Sequence, residues 1–330
     1  MCTRFFSIRL YRSLSSCDDA KTRESYSRRQ ITSPILNPLP HNHNLIYHYL
    51  EVVTERLHHF KAHLYAFAGM GAAGSRMTNT MELAGKVCLV TGGTSGIGAM
   101  TALAFATRGA HVAVAGRNPR DDSFETLKAT EAAHGGEALY IQADIGNAED
   151  CVKAVAKTHA HWGRVDVLVH AAGAAVPGGF FEITEESWSK AFDVHVHAVL
   201  RLARAAVPHM IEQGEGAIVL IGSAAGLRGC LGAIAYGVVK GALPQFARAL
   251  ARELADYNIR VNCVSPGVIR TPFQDFLTPE QIENNVRNRI PLHSEGKPEH
   301  VARAILEMVE NDFITGENLA IDGGMTMRIV

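Results

Sequence analysis

Short apolar runs alternate with longer segments of helical periodicity over the last three quarters of the chain. The runs are Val87–Thr91, His111–Ala115, Ala138–Ala143, Val165–His170, Ala217–Ile221, Arg260–Val264 and Asn318–Ile321. Most are apolar at every position, which is typical of strands buried on both faces. Strands that alternate with helices predict a parallel sheet with helices on both faces and right-handed crossovers. The pattern therefore predicts one α/β domain over residues 85–330, with about seven strands.

A glycine-rich turn follows the first apolar run and opens a helix. It reads Thr91-Gly-Gly-Thr-Ser-Gly-Ile-Gly98. Glycine permits a tight turn and lets backbone N–H groups approach a pyrophosphate at a helix N-terminus. Because ligands of parallel α/β sheets bind at the carboxyl ends of the strands, we expect this loop to hold a dinucleotide. The expected contacts are Gly92, Thr94, Ser95, Gly96, Ile97 and Gly98.

The second and third apolar runs end in residues suited to the adenosine half of such a cofactor. After the second run comes Gly116-Arg117, where dinucleotide folds carry an acid for a ribose 2′-hydroxyl or an arginine for a 2′-phosphate. The acid is missing, so NADP(H) is favoured over NAD(H), with a solvated loop arginine as the alternative. After the third run, Asp144 could accept a hydrogen bond from the adenine amino group.

A tyrosine and a lysine lie four residues apart near the start of a helical segment that extends to Tyr257. Tyr236 and Lys240 share one helix face, so their polar ends can reach the same small volume. A nearby cation favours the phenolate and lowers the pKa of a tyrosine from about 10. The pair is a candidate for acid–base chemistry, and a solvated helix face is the alternative.

Composition indicates a globular protein of one or two domains. The 330 residues are 47% hydrophobic and 20% charged, with a net charge of −1, which argues against nucleic acid as the main partner. No apolar run reaches the roughly 18 residues of a membrane span. The 6 cysteines form no C-x-x-C pair, which indicates a reducing compartment.

The first 84 residues follow a different composition. Residues 1–76 carry ten Lys/Arg against five Asp/Glu, whereas residues 77–330 carry 22 against 28. Residues 1–17 hold three arginines, four serines and no acid, which is typical of a transit peptide. We interpret residues 1–84 as a non-core extension, which is either a cleaved or disordered targeting segment or a stretch upstream of a start at Met77 or Met81. The predicted location is cytoplasmic, or mitochondrial if residues 1–30 act as a transit peptide. His59 and His63 lack a third ligand, so no metal site is predicted.

Together these motifs resemble the classical short-chain dehydrogenase/reductase family. The glycine loop, Ala143-Asp144-Ile145, Tyr236-x-x-x-Lys240 and Ser265-Pro266-Gly267 occur in the family's order within residues 85–330. The resemblance implies a single Rossmann-type, doubly wound parallel sheet. It also implies hydride transfer between a nicotinamide cofactor and a ketone or secondary alcohol, as in 3-oxoacyl thioester reductases and secondary-alcohol dehydrogenases.

The resemblance implies a role for each matching residue. Ser223 would bind the substrate oxygen, Tyr236 would exchange a proton with it, and Lys240 would lower the pKa of Tyr236 and bind the nicotinamide ribose. The further cofactor contacts it implies are Ile145, Ala171, Ile269 and Thr271.

Three positions depart from the family's pattern. His170-Ala171-Ala172-Gly173 stands where the family has Asn-Asn-Ala-Gly, so the bonds that brace the strands must be replaced. His195 occupies the place of the asparagine that often completes a proton relay; it either relays a proton or only packs there. Pro244 lies inside the helix of Tyr236, where a kink or a freed carbonyl is expected.

The segment 271–292, hereafter the lid, corresponds to the part of the family fold that covers the substrate. It contains Phe273 and no cluster of basic residues, which favours an apolar or moderately polar ketone. The rival hypotheses are an NAD-dependent dehydrogenase that works in the oxidative direction and a non-catalytic nucleotide-binding protein. Helices around residues 185–213 and 234–257 resemble those through which family members form homodimers or homotetramers. The other expected partner is a small carbonyl or alcohol substrate, with no nucleic acid and no membrane.

Overall fold

The protein is described by a computed structural model that covers residues 80–327 except 120, 121 and 276. The predictions for the first 79 residues lie outside this part. They are the transit peptide, the alternative start at Met77 and the histidine pair at 59 and 63. All of the apolar runs and motifs discussed above lie inside it.

The described chain alternates strands and helices as the sequence predicts. The strands are β1 Val87–Thr91, β2 His111–Gly116, β3 Ala138–Gln142, β4 Val167–His170, β5 Gly216–Ile221, β6 Ile259–Pro266 and β7 Asn318–Ile321. The α-helices are α1 Gly96–Ala106, α2 Asp122–His134, α3 Ala148–Trp162, α4 Glu185–Phe192, α5 Ala198–Gln213, α6 Ala224–Leu227, α7 Ile234–Leu254, α8 Pro279–Asn284 and α9 Pro298–Glu310. Two π-helical turns, Asp193–His197 and Asn285–Arg289, link α4 to α5 and follow α8.

All strand pairs are parallel, and their order across the sheet is β3-β2-β1-β4-β5-β6-β7. The order reverses between β1 and β4, where Cys88 lies opposite Val167. A ligand of a doubly wound sheet binds at this point, beyond the carboxyl ends of the strands. The predicted fold class, a Rossmann-type sheet with helices on both faces, is confirmed.

The core consists of two large apolar clusters of buried residues. One contains Leu168 and Leu243 together with residues of α3 and α5, and the other contains Phe105 and Ile305 together with residues of α1 and α9. Met81 belongs to the second cluster, and its backbone N–H donates to the carbonyl of Glu310. The packed domain thus begins a few residues before the predicted boundary at residue 85.

Helix α7 carries the Tyr236–Lys240 pair and is 21 residues long. It contains Pro244 and continues past it to Leu254. Neither α7 nor any other helix among residues 80–327 is long and apolar enough to cross a membrane. The expected pairing of two copies through α5 and α7 stays a prediction.

The burial of Leu243 yields a test of how α7 is held on the sheet. Its side chain is 0% exposed, so Leu243→Ala should lower the free energy of unfolding by about 2–5 kcal/mol through lost burial and a residual cavity. Urea unfolding measures the change. Leu292→Ala is the matched control, because Leu292 is 73% exposed and its truncation should cost less than about 0.5 kcal/mol.

Candidate active site

A cavity of about 330 Å³ lies at the carboxyl ends of the strands, where the strand order reverses. Its lining includes every residue that the sequence predicts for catalysis or cofactor binding. They are Gly92, Thr94, Ser95, Gly96, Ile97, Gly98, Arg117, Asp144, Ile145, Ala171, His195, Ser223, Tyr236, Lys240, Ile269 and Thr271. The fold therefore brings together residues that are up to 179 positions apart in the chain.

The glycine loop forms a cradle that side chains would fill. A Cβ on Gly98 would lie 2.1 Å from the carbonyl oxygen of Gly92, so only glycine lets the first turn of α1 approach the end of β1. Ser95, at the N-cap of α1, makes no side-chain bond to the first backbone N–H groups. These N–H groups and the positive end of the helix suit an anion. The loop fits the pyrophosphate of a dinucleotide.

The far end of the cavity lies beside β2 and β3. Gly116 is buried, and a Cβ there would lie 2.8 Å from the side chain of Thr94. Arg117 is exposed, lines the cavity and forms no ion pair with another described residue. Asp144 lines the same end, and its carboxylate accepts the N–H of Gly146 at 3.0 Å. This end offers a cation at the position where a ribose phosphate would lie.

The other end of the cavity, hereafter the reaction end, contains Ser223, Tyr236 and Lys240. Ser223 follows β5 and caps the short helix α6, where its hydroxyl oxygen accepts the N–H of Ala225 at 3.2 Å. A Cβ on Gly226 would lie 2.5 Å from the backbone nitrogen of Gly241. This close approach of α6 to α7 places Ser223 beside Tyr236.

Burial governs the protonation of Tyr236. It raises the pKa of the phenol, a hydrogen bond with Ser223 acts in the opposite direction, and Cys230 adds a smaller upward shift. The lysine was expected to lower the pKa, but it is not a cause of the shift in this arrangement. The reason is geometric, since the Lys240 Nζ donates to the carbonyl oxygen of Ile221 at 2.6 Å and lies 5.8 Å from the centre of the Tyr236 ring.

The Lys240 amine is nearly inaccessible to solvent. The residue is 5% exposed, and burial lowers its pKa to about 8. A lysine ammonium has three N–H donors, and the Ile221 carbonyl accepts one of them. The remaining donors fit hydroxyl groups of a bound ribose.

His170 replaces the missing asparagine bonds with a bridge across three elements. Its Nε2 lies 3.0 Å from the carbonyl oxygen of Val194 in the π-helical turn, and its Nδ1 lies 3.0 Å from the hydroxyl oxygen of Thr91 at the end of β1. Because a carbonyl only accepts, Nε2 carries the hydrogen and Nδ1 accepts from Thr91. Burial, followed by the charge of Lys240, lowers the pKa of His170 to about 3. The ring is thus a neutral strut.

His195 is buried on the same side of the site and is also neutral. Its Nε2 donates to the carbonyl oxygen of Ala174 at 3.2 Å, and its ring meets that of Tyr236 edge-on at 5.9 Å. Burial, with the charge of Lys240 next, lowers the pKa of His195 to about 2. An imidazolium is strongly disfavoured there, so any part in a relay must use the neutral ring. Its Nδ1 is buried without a partner among the described residues.

The lid closes over the reaction end through a short 3-10 turn, Pro272–Gln274. Thr271 precedes the turn, and its methyl carbon would lie 3.2 Å from a Cβ on Gly96. The ring of Phe273 lies 6.1 Å from that of Tyr236. Gln274 also lines the cavity.

Two residues near Tyr236 were missed at the level of sequence, Gln274 in the lining of the cavity and Cys230 outside it. Gln274 could have been found from its position three residues after Thr271, inside the segment already assigned to the substrate. Cys230 lies close enough to Tyr236 to affect its pKa, and its place in the loop between Ser223 and Tyr236 is the only signal in the sequence.

Comparisons with known proteins match this geometry. Residues 92–326 match the family described as Enoyl-(Acyl carrier protein) reductase. The 3-oxoacyl-[acyl-carrier-protein] reductase FabG of Thermotoga maritima is 37% identical over 249 residues, which are 75% of this chain and 100% of that protein. Dehydrogenase/reductase SDR family member 4 of Homo sapiens is 35% identical over 268 residues, 80% of this chain and 96% of that protein.

A solved structure supports the same assignment. L-sorbose reductase from Gluconobacter frateurii, complexed with NADPH and L-sorbose, superposes with a TM-score of 0.70 and 29% identity over 76% of this chain and 100% of that one. Fold and site define a nicotinamide-binding oxidoreductase that acts on carbonyl or CH–OH groups. The chain belongs to the short-chain dehydrogenase/reductase family.

The two neutral histidines predict a loss of stability in acid. Above pH 6.5 they are neutral both folded and unfolded, so they add no pH dependence. As the pH falls below 6.5 the unfolded chain binds protons that the folded chain excludes. Each histidine then removes about 1.4 kcal/mol of unfolding free energy per pH unit, until the pH approaches the folded values of about 3 and 2.

Urea unfolding between pH 7 and pH 5 measures this slope. His170→Asn keeps a neutral side chain at every pH, so it should reduce the slope by about 1.4 kcal/mol per pH unit below pH 6.5. The control is His134→Asn, which removes an exposed histidine and should leave the slope as it is. An equal slope in the His170→Asn variant and the unaltered protein would contradict the neutral state of His170 in the folded protein.

Proposed function

We propose that this protein is an NADP(H)-dependent oxidoreductase that interconverts a ketone and a secondary alcohol, with Tyr236 as the acid–base residue. One observation carries the proposal. A single cavity holds Ser223, Tyr236 and Lys240 at one end and Arg117 at the other, with the glycine loop between them. The relatives named for reductase activity support the same reaction type.

Proton transfer is the task of Tyr236. In reduction the phenol donates its proton to the substrate oxygen, and in oxidation the phenolate accepts it. Burial raises the pKa of the phenol and so favours the protonated form that reduction uses. The hydroxyl of Ser223 interacts with the phenol and can donate to the same substrate oxygen, which fixes the carbonyl in reach of both groups.

Lys240 provides the positive charge of the reaction end. With a pKa of about 8, its amine is mostly protonated at neutral pH. Its free N–H donors would hold the ribose hydroxyls of the cofactor. The bound nicotinamide supplies the hydride acceptor or donor.

The preference for NADP(H) rests on the residues after β2. Gly116 has no side chain to repel a phosphate, and Arg117 follows in place of the acid that would bind a ribose 2′-hydroxyl. An arginine bonds a phosphate with two parallel N–H donors. The L-sorbose reductase structure contains NADPH, which supports this choice.

Replacement of Tyr236 by phenylalanine should abolish most turnover. Loss of the proton donor should lower kcat by about 10²- to 10⁴-fold, whereas NADPH binding should persist because the cavity keeps its shape. A panel of ketones and alcohols, followed by NADPH absorbance, measures turnover, and fluorescence titration measures binding. Tyr257→Phe, beyond the end of α7, is the matched control. Unchanged turnover of the Tyr236→Phe variant would refute the mechanism.

Replacement of Arg117 by aspartate should shift cofactor preference toward NADH. A charge-assisted bond contributes about 1.5–3 kcal/mol, so the KM for NADPH should rise by about 10- to 150-fold while the KM for NADH falls. Steady-state kinetics with both cofactors measures the ratio. Lys157→Asp makes the same change of net charge on α3, away from the cavity, and should leave the ratio unaltered. An unchanged preference in Arg117→Asp would contradict the cofactor assignment.

A further inference from the structure

The turn that follows β2 is held by two side chains of the neighbouring strand β3. The hydroxyl of Tyr140 lies within hydrogen-bond distance of two carbonyl oxygens, that of Gly116 at 3.2 Å and that of Asn118. The side-chain amide of Gln142 donates to the carbonyl oxygen of Arg117 at 3.0 Å. Three successive carbonyls of the turn therefore face side chains of β3.

Strand geometry explains why these two residues act together. Residues two apart on a strand point to the same side of the sheet, and Tyr140 and Gln142 are such a pair. Strand β3 lies at one edge of the sheet, and Gln142 is opposite Gly116, the last residue of β2. The Tyr140 ring packs edge-on against Phe124 of α2, with the ring centres 5.6 Å apart. The phenol is thus anchored at its apolar end while its hydroxyl reaches the turn.

The hydrogen bonds fix the backbone on both sides of the Arg117 Cα. The Gly116 carbonyl accepts the backbone N–H of Ala143 at 2.9 Å, so the single hydrogen of the Tyr140 hydroxyl is available to the Asn118 carbonyl. Because each peptide unit is planar, the bonds to the carbonyls of Gly116 and Arg117 hold the two peptide units that flank this Cα. The direction in which the Arg117 side chain leaves the backbone is thereby set.

The backbone of Arg117 is bound, whereas its side chain is available to a ligand. Arg117 lines the cavity, and its guanidinium makes no hydrogen bond or ion pair with another residue in the part of the chain that the structure describes. On its other side the turn meets the glycine loop, where the side chain of Thr94 would lie 2.8 Å from a Cβ on Gly116. A guanidinium has five N–H donors in a rigid fork that matches a phosphate. The arrangement therefore suits a ligand with an anionic group at the adenosine end.

We propose that Tyr140 and Gln142 are positioning residues for cofactor preference, which hold the turn after β2 so that Arg117 presents its guanidinium to the 2′-phosphate of NADP(H). This inference rests on the proposed function, in which Arg117 binds that phosphate. Neither Tyr140 nor Gln142 lines the cavity, so both act through Arg117. A turn that is fixed before binding loses little conformational freedom when the ligand arrives. NAD(H) has a hydroxyl in place of the phosphate and gains nothing from the placement of the guanidinium.

The test removes each hydrogen bond and keeps the size of the side chain. Tyr140→Phe deletes the hydroxyl and leaves the ring that packs on Phe124, and Gln142→Met replaces the amide by an apolar chain of similar length. Fluorescence titration of the full-length protein measures the Kd for NADPH and for NADH, and needs no substrate. Tyr257→Phe is the control, because Tyr257 lies in the 3-10 turn after α7 and does not line the cavity.

Each β3 variant should raise the Kd for NADPH by about two- to tenfold, the loss expected for one hydrogen bond, and leave the Kd for NADH unchanged. Tyr257→Phe should bind both cofactors as the unaltered protein does. A double-mutant cycle adds Arg117→Ala, which should weaken NADPH binding by itself. In that background Tyr140→Phe should have no further effect, because the hydroxyl acts only through Arg117.

Three results would overturn the inference while the proposed function stands. They are an equal loss of NADPH and NADH binding, a full effect of Tyr140→Phe in the Arg117→Ala background, and unchanged NADPH binding in both β3 variants. The first would mean that Tyr140 and Gln142 only maintain the shape of the adenosine end.

Two other results would refute the assignment of NADP(H) and this inference with it. In one, the unaltered protein binds NADH as tightly as NADPH. In the other, Arg117→Ala leaves NADPH binding unchanged.

Discussion

Burial, together with the ammonium of Lys240, determines which other charges the site can hold. The residue is 5% exposed, and its pKa of about 8 keeps it mainly protonated at neutral pH. Two imidazoles lie close enough to feel this charge, and both are neutral because burial and the ammonium act in the same direction. A second cation in this low-dielectric volume would cost several kcal/mol. The site therefore accommodates a single positive charge at its reaction end.

This constraint explains how histidines can occupy places where the family has asparagines. An asparagine is neutral at every pH, whereas a histidine is neutral only if its surroundings keep it so. His170 is held in one tautomer by the Thr91 hydroxyl and the Val194 carbonyl, and His195 by the Ala174 carbonyl. Neutral imidazole rings thus replace the bracing bonds. The replacement works only at pH values where both rings stay neutral.

Much of this arrangement could be predicted from the sequence because local patterns determine it. Apolar runs fix the strands to within about two residues, and glycines mark the places where the backbone must come close. The helical spacing of Tyr236 and Lys240 was enough to place both at one end of the cavity. These motifs consist of residues that lie close together in the chain, so a single sequence is enough to recognise them.

The parts that could not be predicted depend on contacts between distant segments. The bridge made by His170 requires the end of β1 and a π-helical turn. A π-helical turn of five residues cannot be recognised from the 3.6-residue periodicity of apolar positions. The amine of Lys240 points to the Ile221 carbonyl, 19 residues away, and this geometry leaves the pKa of Tyr236 raised. Helical spacing alone predicts that the two side chains are close, not which acceptor the amine bonds.

Substrate choice must come from residues outside the catalytic group. In the proposed reaction Ser223, Tyr236 and Lys240 act on the C–O unit that every ketone and secondary alcohol shares, so they would not distinguish one substrate from another. Relatives named for an acyl-carrier thioester and for a sugar match this chain at 37% and 29% identity, which agrees with a common centre and variable surroundings. In this chain those surroundings include the lid turn of Phe273 and Gln274, which lines the cavity.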